Sequence, residues 1–139
     1  MIEKERRKHH RAKLKWYVLA KVHGKMIDGA TKDISVTGAY VCCANPLKLN
    51  TVFNMVIKAP EKILEVEAEV IWSNIYGPDD EINPRGMGGR FLNISSDDRR
   101  IIAKEILQHL KPDEKIDSEH LKALKTLIIR PQDSGPKLE

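Results

Sequence analysis

The chain has 139 residues, of which 41% are hydrophobic and 32% are charged, and its formal net charge is +4 at neutral pH. This length favours one domain with a small hydrophobic core. No run of about 18 apolar residues occurs and no apolar stretch follows the charged N-terminus, so we expect neither a membrane-spanning helix nor a secretory signal.

The positive charge lies mainly in the first 15 residues, which hold seven Lys or Arg and two Glu. The remaining 124 residues hold 17 basic and 18 acidic groups. Residues 1–13 are polar and lack an apolar period, so we predict that they form a flexible basic arm. This distribution differs from the uniformly basic surface of proteins that bind duplex DNA.

The next part of the chain is predicted to form six short β-strands. They are residues 14–22, 26–35, 38–43, 51–59, 63–72 and 86–94. The second is expected to be broken at Gly29. In the fourth we predict that Val52, Met55 and Ile57 face the core. The fifth alternates most clearly, because its even-numbered residues from 64 to 70 are apolar and its odd-numbered neighbours include three glutamates.

Two cysteines, Cys42 and Cys43, are adjacent in the third strand. A disulfide between sequence neighbours is strained, and no Cys or His lies at the spacing of a metal site. We therefore predict that one thiol faces the core and the other faces out. Reduced thiols and the lack of a signal favour a cytoplasmic protein.

Two helices are predicted after the strands. Residues 95–98, Ser-Ser-Asp-Asp, are typical of a helix start, and Pro112 ends that helix. A second helix is predicted over 117–129. His109 and His120 are expected on the helix surfaces.

Strands followed by helices, without βαβ alternation, predict an antiparallel barrel or curled sheet with helices appended. The expected organisation is a basic arm over 1–13, a barrel with the first helix over 14–111, and a further helix with a frayed tail over 112–139.

Two short motifs carry the functional signal: RRKHHR at residues 6–11 and DISVTG at residues 33–38. Taken singly, the first could be a solvated tail and the second an ordinary Asx or Ser/Thr turn. Together they supply guanidinium groups, a carboxylate, a hydroxyl and a glycine. The planar fork of Arg matches paired acceptors on the edge of a base and also pairs with phosphate. The combination indicates a nucleotide site.

The roles within the second motif stay open at this point. Asp33 can accept hydrogen bonds from a base, or it can hold an arginine in place. Gly38 can allow the ligand to approach the backbone, or it can adopt a positive φ. Ser35 can donate to phosphate or base, and it shares a strand face with Asp33 while Ile34 points the other way.

These motifs, followed by VIW at 70–72 and GMGGRF at 86–91, resemble the PilZ domain over roughly residues 5–110. PilZ domains are bacterial receptors for cyclic di-GMP built on a six-stranded antiparallel β-barrel. The resemblance implies this mainly-β fold with C-terminal α-helices. One departure from the family pattern is Gly89, where a branched apolar residue is more usual.

The resemblance also implies the ligand-binding residues. Arg7 and Arg11 match the family's RxxxR motif, and Asp33, Ser35 and Gly38 match its D/N-x-S-x-x-G motif. Arg6 precedes the first motif, at a position where arginine is typical of members that bind an intercalated dimer of cyclic di-GMP. Trp72 is expected to pack against the barrel, and Arg90 is a minor candidate for ligand contact.

No nucleophile–base pair, metal set or catalytic carboxylate pair can be assembled, so we expect neither an enzyme nor a bound metal or cofactor. The expected function is a receptor whose basic arm is ordered by cyclic di-GMP and which signals to a protein partner, with a homodimer left open. The main alternative is a PilZ-like adaptor that binds no nucleotide. A third, a barrel that binds single-stranded RNA, is disfavoured because few exposed aromatic residues are expected; DNA is not expected as a partner.

Overall fold

The computed structural model describes residues 9–110, 116 and 118–129. The strands are β1 (Tyr17–Val22), β2 (Lys25–Ser35), β3 (Gly38–Cys42), β4 (Val52–Lys58), β5 (Ile63–Asn74) and β6 (Gly86–Ile94), and the helices are α1 (Ser96–Gln108) and α2 (Ser118–Ile129). The six strands form a closed barrel in the order β1-β2-β3-β6-β5-β4, with all neighbours antiparallel. The predicted fold, a six-stranded antiparallel barrel with C-terminal helices, is confirmed.

Alternating apolar residues fill the barrel. On β5 the even-numbered residues from 64 to 70 are all buried, as predicted. On β4 the buried residues are Phe53, Met55 and Ile57, whereas Val52 is 48% exposed. The prediction that Val52 faces the core is wrong, because successive side chains of a strand alternate and position 52 falls on the other face.

The segment before β1 packs along β2. Ala12 and Ile34 exchange two backbone hydrogen bonds of 2.9 Å, and Ala12 is buried. The Thr31 hydroxyl accepts from the amide of Trp16 at 2.8 Å and donates to the carbonyl of Leu14. Residues 12–16 are thereby fixed to the barrel wall. Of the predicted flexible arm, residues 1–8 lie outside the described residues.

Three irregularities interrupt the pairing of the strands. One lies between Thr31 and Asp33 on β2, and two lie on β5, between Glu67 and Ala68 and between Val70 and Trp72. Since β2 runs through Gly29 without a break, the predicted interruption at that glycine is wrong. A bulge shifts the side-chain alternation by one residue, so it changes which residues face outward beyond it.

The helices complete the core. The Ser95 side chain caps α1 by accepting from the backbone N–H of Asp98 at 3.0 Å. Ile106 of α1 and Leu124 of α2 are buried with the barrel residues. His109 is exposed as predicted, but His120 is only 9% exposed, so its predicted surface position is wrong. Among the described helices, none combines the length and apolar character needed to cross a membrane.

Candidate functional site: a cationic groove on the barrel wall

A groove of about 1010 Å³ runs over the outer side of the barrel. Its walls come from the outer faces of β2, β3 and β5, from the segment before β4, and from the β5–β6 loop, defined here as residues 75–85. The charged and aromatic side chains that line it are Arg11, Lys32, Asp33, Tyr40, Lys48, Trp72 and Tyr76.

The structure brings Arg11 and Asp33 together in this groove. Nη1 of Arg11 lies 3.9 Å from Oδ1 of Asp33, which is an ion pair beyond hydrogen-bond distance. The antiparallel bridge between Ala12 and Ile34 causes this meeting, because both apolar side chains point inward and their neighbours Arg11 and Asp33 point outward. Oδ1 of Asp33 is buried and has no hydrogen-bond partner among the described residues. It is therefore available to a donor on a ligand or on a better-placed arginine.

The groove carries an excess of positive charge. Its described charged side chains are Arg11, Lys32, Lys48 and Asp33, three cations and one carboxylate, which leaves a net charge of +2. Both lysines are exposed. Sequence reasoning missed Lys32 and Lys48, because neither belongs to a motif. Lys32 lies on the bulge of β2, which places it next to Asp33 on the outer face.

Aromatic side chains line the same groove. Trp72 is 62% exposed and Tyr76 is 92% exposed. The predictions that Trp72 packs against the barrel and that exposed aromatics are scarce are both wrong. The bulge on β5 explains the first error, because Trp72 pairs with Gly88 on the outer face while Ser73 takes the inward position opposite the buried Met87.

Tyr40 joins the groove floor to the β5–β6 loop. Its hydroxyl donates to the carbonyl of Pro84 at 2.7 Å, and the ammonium of Lys32 lies 5.8 Å from its ring centre. Burial raises the pKa of Tyr40, with nearby Cys42 adding to the effect. The phenol therefore stays protonated and keeps its role as a donor to the loop.

Ser35 and Gly38 do not line the groove. The buried Ser35 hydroxyl accepts from the amide of Thr37 at 3.1 Å and so holds the β2–β3 turn. A Cβ at Gly38 would collide with the carbonyl oxygen of Gly89 on β6. The φ of Gly38 is not positive, so this glycine serves the close approach of two strands. Direct ligand contact by these two residues stays a prediction.

The other predicted candidates lie away from the groove or outside the described residues. Arg6 and Arg7 lie outside the described residues. Arg90 forms an ion pair with Glu69 and does not line the groove. Cys42 is half-buried, Cys43 is buried, and both are free thiols. No group of three or more His, Cys, Asp or Glu in the described part of the chain is arranged to hold a metal ion.

The fold is shared with solved structures of low sequence identity. The Bacillus subtilis inhibitor of motility, MotI/DgrA, aligns with a TM-score of 0.63 and 21% identity over 75% of this chain and 50% of that chain. The PilZ domain of Escherichia coli YcgR, solved with c-di-GMP, aligns with a TM-score of 0.61 and 17% identity over 75% of this chain and 91% of that chain. YcgR in complex with c-di-GMP aligns with a TM-score of 0.60 and 18% identity over 75% of this chain and 46% of that chain.

This chain thus spans about half of the MotI/DgrA and YcgR structures and nearly all of the isolated YcgR domain. No curated protein is significantly similar to it in sequence. The PilZ domain family, however, matches residues 5–108, which is most of the sequence and includes both short motifs. With the closed barrel and the meeting of Arg11 and Asp33, this match establishes that the chain belongs to the PilZ domain family.

Proposed function

We propose that this protein is a cytoplasmic receptor for cyclic di-GMP, that it binds the ligand in the cationic groove, and that it signals through contacts with a protein partner. The observation that carries the proposal is the meeting of Arg11 and Asp33 in a groove of net charge +2. Membership of the PilZ domain family supports it, and so do the two YcgR structures that contain c-di-GMP. The role is that of a receptor, and no catalytic step is part of it.

The groove suits the ligand in its charge and in the chemical groups that it offers. Cyclic di-GMP carries two phosphodiester charges, and the described groove carries two excess positive charges. Arg11 provides a planar fork for a guanine edge or a phosphate, whereas Lys32 and Lys48 act as point charges. The exposed face of Trp72 provides a surface on which a purine can stack.

Asp33 is proposed to work with the arginines. Its distance of 3.9 Å from Arg11 is long enough for a small rotation to close a charge-assisted hydrogen bond, or for a ligand donor to enter between them. Arg6 and Arg7 are proposed as further contacts from the arm. Ser35 and Gly38 are proposed to shape the strand turn beside the ligand.

We propose that two ligand molecules bind in the groove, because Arg6 lies just before the RxxxR motif, where arginine is typical of family members that bind a dimer of the ligand. A pocket for one drug-sized ligand measures about 300–1,000 Å³. The groove reaches about 1010 Å³, which is at the upper end of this range. Closing the arm over such a ligand is proposed as the change that a partner protein recognises.

Isothermal titration calorimetry with cyclic di-GMP tests the function on the wild-type protein and on Arg11→Ala. We expect saturable binding to the wild type, with the stoichiometry read from the same curve. Since hydrogen bonds to charged groups contribute about 1.5–3 kcal/mol each, losing two of them should weaken the variant at least about a hundredfold. Lys13→Ala is the matched control, because Lys13 is an exposed cation on the same segment that does not line the groove.

Three results separate the rival functions. Absence of heat with the wild type would select the adaptor that binds no nucleotide. Because exposed aromatics over a cationic groove also suit single-stranded RNA, an oligonucleotide is titrated in parallel, and tighter binding of it than of cyclic di-GMP would contradict the proposal. Hydrogen exchange of residues 4–13 should slow when the ligand is present, and unchanged exchange would exclude the closing arm.

A further inference from the structure

The β5–β6 loop is held in one shape by Asn74, the last residue of β5. Asn74 is 8% exposed, and its amide nitrogen donates to the carbonyl oxygens of Pro78 at 2.8 Å and Pro84 at 3.2 Å. Its Oδ1 accepts from the backbone N–H of Gly77 at 3.0 Å. A single buried side chain therefore ties the beginning of the loop to its end.

Arg85 fixes the same loop from its other end. Its Nη1 donates to the carbonyl oxygens of Ile75 and Gly77, both at 2.8 Å, and its backbone N–H donates to Oδ1 of Asp79 at 2.9 Å. The Tyr40 hydroxyl adds a bond from the barrel wall to this loop. Many backbone polar groups that a loop normally exposes to water therefore form hydrogen bonds within this loop.

Three acidic residues occupy positions 79–81 of the β5–β6 loop. Oδ1 of Asp80 accepts from the backbone N–H groups of Ile82 at 2.9 Å and Asn83 at 2.7 Å. None of residues 79–81 lines the groove. The carboxylates of this loop thus lie outside the lining of the cationic groove.

The loop presents an aromatic ring instead. Tyr76 lines the groove and is 92% exposed, although the neighbouring backbone carbonyls of Ile75 and Gly77 are both held by Arg85. An aromatic side chain on a fixed backbone has only two torsions left to order when it binds, so contact with a ligand costs little conformational entropy.

We propose that the β5–β6 loop is a preformed wall of the binding groove and that Tyr76 stacks on a purine base of the bound ligand. This inference rests on the proposed function and assigns to the loop a base-binding contact outside both sequence motifs. Trp72 on β5 and Tyr76 on the loop then offer two separate aromatic surfaces for the bases of a dinucleotide.

The test measures the dissociation constant of cyclic di-GMP for wild type, Tyr76→Ala, Tyr76→Phe and Tyr17→Ala by calorimetry. Stacking of a base on an aromatic ring corresponds to about five- to a hundredfold in affinity, so Tyr76→Ala should bind about tenfold more weakly. Tyr76→Phe keeps the ring and should stay close to wild type. Tyr17→Ala is the matched control, because Tyr17 is a 65% exposed tyrosine that does not line the groove.

The outcomes separate this inference from the function on which it rests. If the wild type binds cyclic di-GMP and Tyr76→Ala binds equally well, the stacking contact is overturned and the receptor function stands. If Tyr76→Phe loses as much affinity as Tyr76→Ala, the hydroxyl is responsible and the stacking contact is again overturned. If the wild type does not bind, both proposals fail. Because Tyr76 is almost fully exposed, none of these variants is expected to impair folding.

Discussion

The two walls of the groove are held by different forces. The strand wall, which carries Asp33 and Tyr40, belongs to the barrel, and β2, β3 and β6 fix it by paired backbone hydrogen bonds and core packing. The loop wall, residues 75–85, is held mainly by the side chains of Asn74 and Arg85, which bond to its carbonyl oxygens. A change in the strand wall should therefore alter global stability, and a change in the loop wall should alter ligand affinity.

Gly38→Ala is the substitution that should affect the strand wall most. Its Cβ would collide with the carbonyl oxygen of Gly89, which belongs to the backbone and cannot rotate away. Forcing an extra carbon into a packed site costs about 1–3 kcal/mol, so the free energy of unfolding should fall by that amount. Urea denaturation followed by far-UV circular dichroism measures it.

Gly89→Ala is the matched control for this prediction. A Cβ there would meet Ala68 Cβ at 3.5 Å and Phe53 Cζ at 3.7 Å, which are ordinary contacts inside the barrel. We expect a much smaller loss of stability than for Gly38→Ala. Equal losses for the two variants would show that the strands do not need glycine at position 38, and the contrast between the walls would lose its basis.

Much of the strand wall can be predicted from the sequence, because local pattern and packing agree there. The alternation on β5 from 64 to 70 predicts its buried face, and Ser95 predicts the start of α1. The ion pair between Arg11 and Asp33 brings together two motifs that the sequence links only by their order along the chain. Pattern reasoning fails at Trp72, because a bulge shifts the alternation by one residue and nothing in the local composition announces it.

The loop wall could not be predicted in the same way. Its composition indicates a loop and nothing more, since Gly, Pro, Asp and Asn are typical of any turn. The roles of Asn74 and Arg85 depend on which carbonyl oxygens come within reach after folding. The burial of His120 could not be predicted either. It depends on how α2 packs in the folded protein, and the spacing of apolar residues along the helix does not reveal it.

Arg85→Ala should affect the loop wall and leave the strand wall almost unchanged. Removing the guanidinium frees the carbonyl oxygens of Ile75 and Gly77, so the loop that carries Tyr76 loses part of its support. We expect cyclic di-GMP to bind less than about tenfold more weakly, since the chemical groups that meet the ligand are all still present. Hydrogen exchange should become faster in residues 75–85 and should stay unchanged in β2 and β3.

Arg90→Ala is the control for this second prediction, because its ion pair with Glu69 lies on the outer surface. An exposed pair of this kind contributes about 0–1 kcal/mol, and the residue does not line the groove. Affinity and loop exchange should both match wild type. If Arg85→Ala instead lowered global stability as much as Gly38→Ala, the loop would be part of the cooperative barrel and the two walls would not differ.

The smallest expected effect is a pH dependence confined to the strand wall. Burial raises the pKa of Cys43, just after β3, from 9.0 to about 11. Above pH 9.0 the unfolded chain releases this proton while the folded protein keeps it, so the thiol's contribution to stability is complete below that pH and is lost as pH rises towards about 11. The free energy of unfolding should therefore fall more steeply over this range for wild type than for Cys43→Ala. Lys62, whose pKa is raised by its hydrogen bond to Asp98, is present in both proteins, so its titration cancels in the difference. If the free energy of unfolding fell equally steeply with pH in both proteins, the thiol would ionise as readily in the folded barrel as in the unfolded chain. The end of β3 would then not be buried in solution.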